Sequence, residues 1–250
     1  MKFIEKIAIH TKNYGGYEKV KAIYIRLSYC YAVLENGNIG LAFVFKEEHI
    51  AGCNVDLPKR PLAGSKARDL LNFAGKGPLC NSICLSVANA VMAPLAKLDT
   101  KGDFIDHFRL EPGTRVGMVD HFAPLAPMIV KRRAKLTIFD LHPDPLSGIL
   151  PPTKIPSTLP GCEVGLITAT SIINETIDDI FFHARNCKYV ALLGPSSPLV
   201  SVYFKDTPVS CAAGAVVRKK GKMINAVVEA GGMQVFSPYL DKVNVYFNGI

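Results

Sequence analysis

The stretch Glu163–Leu199, EVGLITATSIINETIDDIFFHARNCKYVALLGPSSPL, decides the fold of this 250-residue chain. It begins with an apolar run, Val164–Thr168, typical of a buried strand, and its later part holds a second such run, Tyr189–Leu193. Between the two runs, five apolar residues recur at the spacing of one helix face: Ile173, Ile177, Ile180, Phe181 and Ala184. A strand, a helix and a strand within ~30 residues form a βαβ unit. The sequence therefore predicts a parallel sheet with both faces covered.

Polar residues follow both strands of this unit. In parallel sheets, ligands bind beyond the carboxyl ends of the strands. The candidates for ligand binding are therefore Thr168, Thr170, Ser171, Asn174, Ser196 and Ser197. Their hydroxyls, together with the amides at a helix start, suit an anionic or otherwise polar ligand. As ordinary caps and turn residues the same side chains need no function, and the sequence leaves both interpretations open.

The first part of the chain has a different pattern. Strand-like runs on both sides of Asn36-Gly37 predict a hairpin within a meander of about three strands. Two helices follow, Lys66–Ala74 and Leu79–Leu95. Asn89 lies in the second helix among apolar neighbours, as a hydrogen-bonded core residue or as a contact into a cleft. A meander followed by helices predicts an α+β module.

A polar segment, Leu98–Asp103, separates this part from an alternation of strands and helices, so we place a domain boundary there. We expect an α+β domain at residues 1–98 and an α/β, Rossmann-like domain with a parallel sheet at 103–250. The predicted strands of the second domain, besides the two above, are Arg115–Val119, Lys135–Leu141, Val209–Val217 and an edge strand at Lys242–Phe247. The Pro-rich segment His142–Pro160 is expected to cross the surface.

The composition limits the classes of function. The net charge is +8, but Lys and Arg are spread along the chain without interleaved aromatic residues, so a nucleic-acid binder is the least favoured class. None of the seven cysteines has the spacing of a zinc site. The first residues do not read as a signal peptide, and the longest apolar run reads as a core helix instead of a membrane span. We expect a cytoplasmic protein, with a homodimer as one possible assembly.

Acidic and imidazole side chains cluster at the ends of the first two strands of the second domain. The turn after Arg115–Val119 lacks the GxGxxG pattern, so no standard NAD or FAD site is expected. It offers Asp120 and His121 instead, and the next strand ends at Asp140, with His142 and Asp144 close behind. Carboxylate and imidazole groups suit a divalent metal ion, and Asp120, His121 and Asp140 are the candidate ligands. Helix capping and surface exposure are the alternatives.

The second half resembles a family labelled "putative heavy-metal chelation". The resemblance lies in Arg115–Phe122, Ile138–Asp140, Ile167–Thr176, Leu193–Leu199 and Cys211–Val216. The helix Leu79–Ala90 is similar to one in that family's amino-terminal partner domain. The sequence departs from the family pattern at Asp120, where the family usually has glycine, and at Ala123, where it has proline.

The resemblance implies an enolase-amino-terminal-like domain on a Rossmann-like domain, with a site in the cleft between them. It implies binding of a small polar ligand, a metal ion or a metal complex, linked to chelation or to cobalamin-type metabolism. A second hypothesis is an enzyme, a transferase or lyase acting on a nucleotide-like or corrinoid-like substrate. The resemblance carries no established reaction, so whether the chain is an enzyme stays open.

Overall fold

Two β-sheets organise the computed structural model, which describes residues 1–45, 57–229 and 233–247. The smaller sheet has three antiparallel strands, and the larger one has eight strands, most of them parallel. The predicted class, a mixed α/β chain with a parallel-rich sheet and a smaller antiparallel one, is confirmed.

The first part of the chain builds the small sheet and the helices that cover it. Its elements are α1 (Phe3–Tyr14), β1 (Val20–Ile25), β2 (Tyr29–Leu34), β3 (Ile39–Phe43), α2 (Ala67–Leu70) and α3 (Pro78–Met92). The predicted hairpin between β2 and β3 is present, and Gly37 at its turn has a φ of 83°. That left-handed conformation suits glycine, because a side chain there would meet its own backbone.

The second part builds the large sheet. Its strands are β4 (Thr100–Lys101), β5 (Arg115–Val119), β6 (Lys135–Phe139), β7 (Ile149–Leu150), β8 (Val164–Thr168), β9 (Tyr189–Leu193), β10 (Cys211–Val217) and β11 (Leu240–Tyr246). Its helices are α4 (Phe104–His107), α5 (Ala126–Lys131), α6 (Ile155–Thr158), α7 (Ile177–Ala184), α8 (Lys220–Val228) and α9 (Met233–Phe236).

The order of strands in the large sheet is β4-β11-β10-β9-β8-β5-β6-β7. The predicted parallel neighbours β6, β5, β8 and β9 are confirmed. The expectation that the last strand lies at a sheet edge is wrong: β11 is not at an edge, because Val243 and Asn244 pair with the short strand β4. The Pro-rich segment is mostly exposed, as expected, and it also adds strand β7 beside β6. Strands β4 and β7 have two residues each, which is too short for the alternation of apolar and polar residues that indicates a strand in a sequence.

Helix α3 is the central helix of the first part. Twelve of its fifteen residues are buried, and it packs on β2, β3 and α1. By length and hydropathy the segment Pro78–Leu95 could cross a membrane, but 67% of it is buried inside the protein. The run of apolar residues is therefore explained by packing on the sheet, as the sequence predicted.

The contact between β3 and α3 depends on Gly40. A Cβ atom at this position would lie 2.0 Å from the Ser86 carbonyl oxygen and 2.5 Å from the Ala90 nitrogen. Both are main-chain atoms of α3, so no side chain can move to make room. The glycine lets the strand and the helix approach backbone to backbone.

Helices cover both faces of the large sheet. One apolar cluster joins β5, β8 and β9 to α4 and α5. On the other face, α6 and α7 pack in a larger cluster that also includes α1, the small sheet and α3. The apolar core therefore continues from the first part of the chain into the second, and this continuity fixes the small sheet beside the large one.

Helix α7 begins later than its apolar spacing suggested. Residues Ala169–Ile172 form a 3₁₀ turn, and the α-helix starts only at Ile177. Between them Glu175 has a φ of 63°, which is uncommon for a residue with a side chain. Asn174 does not cap the long helix that the sequence suggested; its Oδ1 accepts hydrogen bonds from the Thr176 nitrogen and hydroxyl.

Candidate functional site

A cleft of about 480 Å³ opens at the carboxyl ends of β5, β6 and β8. The strands deliver Asp120, Asp140 and Thr168 to it, and the turn after β8 adds Thr170, Ser171 and Asn174. The remaining lining is mostly apolar: Phe43, Phe45, Val119, Phe139, Leu141, Pro152, Ile155 and Ile180, with His142, Thr176 and Asp179 at its polar side. Its size and its mixture of apolar walls and a few polar groups are those of a small-molecule site.

Two carboxyl groups from neighbouring strands meet in this cleft. The Asp140 carboxylate accepts hydrogen bonds from the backbone N–H groups of His121 (2.9 Å) and His142 (2.8 Å). These bonds fix the carboxylate, whose side chain is only 15% exposed. Asp120 lies beside it, close enough to Asp140 and to the Thr168 hydroxyl for both groups to affect its pKa.

The surroundings shift the pKa values of Asp120 and Asp140 in opposite directions. Burial raises the pKa of Asp120, and the nearby charge of Asp140 adds to the rise, although the Thr168 hydroxyl opposes it. Partial burial would also raise the pKa of Asp140, but the two backbone donors and Asp120 together hold it below its usual value. A pair of carboxyl groups separated in this way can hold one proton and one negative charge.

Hydroxyl groups form the rim between the carboxylates and α7. The Thr168 and Thr170 hydroxyls lie 3.0 Å apart, and either can be the donor. Ser171 is buried, and its hydroxyl donates to the Thr168 carbonyl oxygen. The rim therefore offers Thr168, Thr170 and Asn174 to a ligand, while Ser171 holds the turn in shape.

The opposite wall comes from the small sheet. Phe43 and Phe45 lie at the end of β3, half-buried, with their rings edge to face and 5.2 Å between centroids. The Phe43 carbonyl accepts a hydrogen bond from Ser82 of α3 (2.6 Å), and its N–H donates to the Ser196 hydroxyl (2.8 Å). Sequence reasoning missed both phenylalanines, because nothing in a strand pattern indicates which end of the strand faces another sheet.

A second missed feature is a polar contact that supports the turn carrying Asn174. Asn81 of α3 is fully buried, and its Nδ2 donates to the Ile173 carbonyl (2.8 Å) and to Glu175 Oε1 (3.0 Å). Its Oδ1 accepts from the Gly75 N–H (2.8 Å). Lys2 forms an ion pair with the same Glu175. These contacts explain why Glu175 adopts its left-handed conformation.

The remaining predicted site residues lie away from this cleft. The His121 side chain is exposed and does not line it. Asn89 and Ser197 line a separate cavity of about 120 Å³ between β3, α3 and β10. Asn89 Nδ2 donates to the carbonyl oxygens of Leu41 (3.0 Å) and Ser196 (3.2 Å). Asn89 therefore reaches across to the large sheet, but toward the turn after β9 and not toward Thr170–Asn174.

The metal-ligand chemistry of the described residues is limited. Across residues 1–45, 57–229 and 233–247, no group of three or more His, Cys, Asp or Glu side chains is arranged to hold a metal ion. Asp144, which the sequence placed near the candidate ligands, instead accepts a hydrogen bond from the Leu146 N–H and caps a 3₁₀ turn. The cleft thus holds two adjacent carboxylates and hydroxyl oxygens, with the exposed imidazole of His142 at its edge.

Comparison with solved structures shows the same fold in two other proteins. A protein of unknown function from Desulfitobacterium hafniense superposes with a TM-score of 0.79 at 20% identity, covering 97% of this chain and 98% of that one. One from Pyrococcus horikoshii gives a TM-score of 0.82 at 15% identity, covering 98% and 99%. Both are described as members of the DUF364 family. No curated protein sequence matches the chain.

Family models match both parts of the sequence. Residues 11–92 match the DUF4213 model and residues 103–246 match the DUF364 model, and both carry the description "Putative heavy-metal chelation". The second match covers more than half of the chain and contains every strand of the large sheet except β4. The resemblance stated from the sequence is confirmed, and the chain belongs to the DUF364 family.

Proposed function

We propose that this protein binds a small polar ligand, or a metal ion held by such a ligand, in the cleft at the carboxyl ends of β5, β6 and β8. The observation that carries the proposal is that these three adjacent strands end in Asp120, Asp140 and Thr168 around one cavity of about 480 Å³. Ligands of parallel sheets bind at this edge, and pockets of this size enclose small molecules.

The family description names heavy-metal chelation, and the donor atoms limit which metals fit. Soft heavy metals prefer thiolate ligands, whereas the cleft offers oxygen atoms and one imidazole. Five of the six described cysteines are buried, none lines the cleft, and burial raises the pKa of Cys30 and of Cys84 to about 12. Cys53 lies outside the described residues. The cleft therefore suits a harder divalent ion whose coordination is completed by a bound ligand.

The position of Phe43 and Phe45 supports a site shared by two domains. We propose that residues 1–98 and 103–250 are the two domains, the first enolase-amino-terminal-like and the second Rossmann-like. The small sheet with α1–α3 lies in the first range and β4–β11 in the second. In this arrangement the first domain supplies the aromatic wall, and the second supplies the carboxylates and hydroxyls.

A second candidate function is acid–base catalysis, favoured by the opposite pKa directions of Asp120 and Asp140. A protonated Asp120 would donate a proton to a ligand in the cleft, and the ionised Asp140 would orient it. Carboxyl pairs of this kind serve as general acid and general base in enzymes. This observation supports the transferase or lyase alternative without identifying the substrate.

Native mass spectrometry with elemental analysis, on protein purified without a metal-affinity tag, tests the proposal. We expect a small molecule or a divalent ion to copurify with the chain, and its amount to fall in Asp140→Asn. Glu111→Gln is the control, because Glu111 is an exposed carboxylate paired with Arg109 outside the cleft.

Calorimetric titration with Co²⁺, Ni²⁺, Zn²⁺ and Mg²⁺ tests directly whether the cleft binds a metal ion. We expect Asp120→Asn and Asp140→Asn to weaken any metal binding by about tenfold or more, which is about 1.4 kcal/mol. His121→Ala should leave it unchanged, because the imidazole lies outside the lining. A loss in His121→Ala equal to that in Asp140→Asn would instead make His121 a ligand, as the sequence suggested. A cleft that retains nothing, with Asp140→Asn behaving as the parent protein does, contradicts the proposal.

A further inference from the structure

The charges that line the cleft are of one sign. Asp120, Asp140 and Asp179 contribute to its wall, and no Lys or Arg is among the described lining residues. The chain as a whole carries a net charge of +8, so this acidic lining is a local feature and does not follow from composition. An anionic ligand would meet repulsion here, whereas a cation would be attracted, and the partial burial of the carboxylates strengthens both effects.

The two central carboxyl groups lie side by side in the cleft. Asp120 has a φ of 76°, although an aspartate there is less favoured than glycine, and it lies beside another carboxylate of the same charge. The Oδ1 atom of Asp140 lies 3.6 Å from Nδ1 of His142, whose side chain is 90% exposed. Neighbouring carboxyl groups of this kind occur at binding sites, where a cation or a shared proton stabilises them.

The size and the walls of the cleft indicate an organic ligand rather than a bare ion. A volume of about 480 Å³ is far more than one ion fills. The half-buried rings of Phe43 and Phe45 line the same cleft as the carboxylates, and aromatic rings pack well against a flat apolar group. A hydrated metal ion would gain little from these rings.

We propose that the ligand of this cleft is a flat organic cation, with a positively charged nitrogen group placed against Asp120 and Asp140 and an apolar part against Phe43 and Phe45. The inference rests on the proposed function, because it names the ligand class for the same cleft. The Thr168 and Thr170 hydroxyls then accept hydrogen bonds from the nitrogen group, and they need not hold an anion.

Three probes of nearly the same shape test this ligand class. Benzamidine carries a positive amidinium group, benzamide is neutral and benzoate is negative, so a difference in binding reports the charge alone. Binding to the full chain is measured by protein-observed NMR and by calorimetry. We expect benzamidine to bind about tenfold or more tightly than either of the others. The preference should disappear in the double variant Asp120→Asn/Asp140→Asn and persist in Glu111→Gln.

The outcomes separate this inference from the proposed function. Equal or tighter binding of benzoate or benzamide, with chemical-shift changes at Thr168, Thr170 or Asn174, overturns the cation inference and leaves the cleft as a ligand site. Benzamidine binding that survives the double variant places the cation elsewhere and also overturns the inference. If none of the three probes binds, the flat-cation inference falls; if the metal ions also leave the cleft signals unchanged, the proposed function falls with it.

Discussion

Two asparagines on the same helix differ in what they join. Asn81 near the beginning of α3 is fully buried, and its three hydrogen bonds reach Gly75, Ile173 and Glu175. Asn89, two turns later, is half-buried and donates to the carbonyls of Leu41 and Ser196. In the sequence both lie among apolar residues, and only Asn89 was singled out. The structure shows that Asn81 supports the turn beside the cleft, whereas Asn89 joins β3 to the turn after β9.

The difference shows that the role of a buried asparagine follows from its hydrogen-bond partners in the fold and not from its neighbours in the sequence. Asn81 satisfies a main-chain donor, a main-chain acceptor and a carboxylate at once, so nothing can replace it without leaving a buried group unpaired. Asn89 contributes only donors, and a carbonyl oxygen that loses one donor costs less than a buried N–H group left unpaired. The two ends of α3 are therefore expected to respond differently to substitution.

The largest effect is expected at Gly40, which faces the Asn89 end of α3. Gly40→Ala places a Cβ atom 2.0 Å from a main-chain oxygen, so β3 and α3 must separate. We expect a loss of about 3 kcal/mol or more in the free energy of unfolding, measured by urea denaturation. Gly161→Ala is the matched control, because no atom lies within 4 Å of a Cβ there. Equal stability of the two variants would show that β3 is not held against α3 as described.

A smaller but still large effect is expected at Asn81. Asn81→Ala removes three hydrogen bonds and leaves the Gly75 N–H and part of the Glu175 carboxylate unpaired. The loss should be on the order of 2–3 kcal/mol in urea denaturation. Asn72→Ala serves as control, since Asn72 is exposed and its Oδ1 accepts a hydrogen bond from the surface residue Lys12. Slower amide exchange at Ile173–Thr176 in the variant than in the parent protein would contradict the supporting role of Asn81.

Asn89→Ala should lower the free energy of unfolding by less, about 1 kcal/mol, because Asn89 is half-buried and its partners are two carbonyl oxygens. The measurement is the same urea titration, so that the two ends of α3 are compared directly. A loss equal to that of Asn81→Ala would mean that both ends of the helix are equally constrained. Weaker benzamidine binding in Asn89→Ala, with unchanged stability, would indicate that Asn89 contacts the ligand.

The smallest effect, and one of opposite sign, is expected in the cleft. Asp120→Asn removes a charge beside Asp140, and asparagine adopts a positive φ more readily than aspartate. We expect a gain of about 0.5 kcal/mol at pH 7, kept small because the side chain is partly exposed. A loss of stability at pH 7 would show that the carboxylate is structural.

The pH dependence of that gain follows from the raised pKa of Asp120. The folded state holds its proton to a higher pH than the unfolded state does, so the wild type loses stability as the pH rises from about 3.9 through the folded-state pKa. The advantage of Asp120→Asn should therefore be fully present above the folded-state pKa and should shrink as the pH falls toward about 4. Thermal unfolding of both proteins across this range measures it.

The sequence by itself determined the longer strands of both sheets and the central helix α3. Val164–Thr168 and Tyr189–Leu193 are apolar runs buried on both faces, and such runs indicate strands wherever they lie. The Asn36-Gly37 turn fixes its hairpin through its own backbone preference. The sequence also placed Asp120, Asp140 and Thr168 at strand ends, and in the structure all three line one cleft, because the carboxyl ends of adjacent parallel strands meet at one edge of a sheet.

Only the tertiary structure decided which side chains point into the cleft. His121 follows Asp120 directly, yet its imidazole is exposed, because its N–H is used to fix Asp140. The helical period continued through Ile173, but contacts of Glu175 with Lys2 and Asn81 delay the start of α7. Phe43 and Phe45 reach the cleft from more than 70 residues away in the chain. Such contacts depend on how the small sheet packs on the large one. A local sequence pattern reflects only neighbouring residues and therefore does not predict that packing.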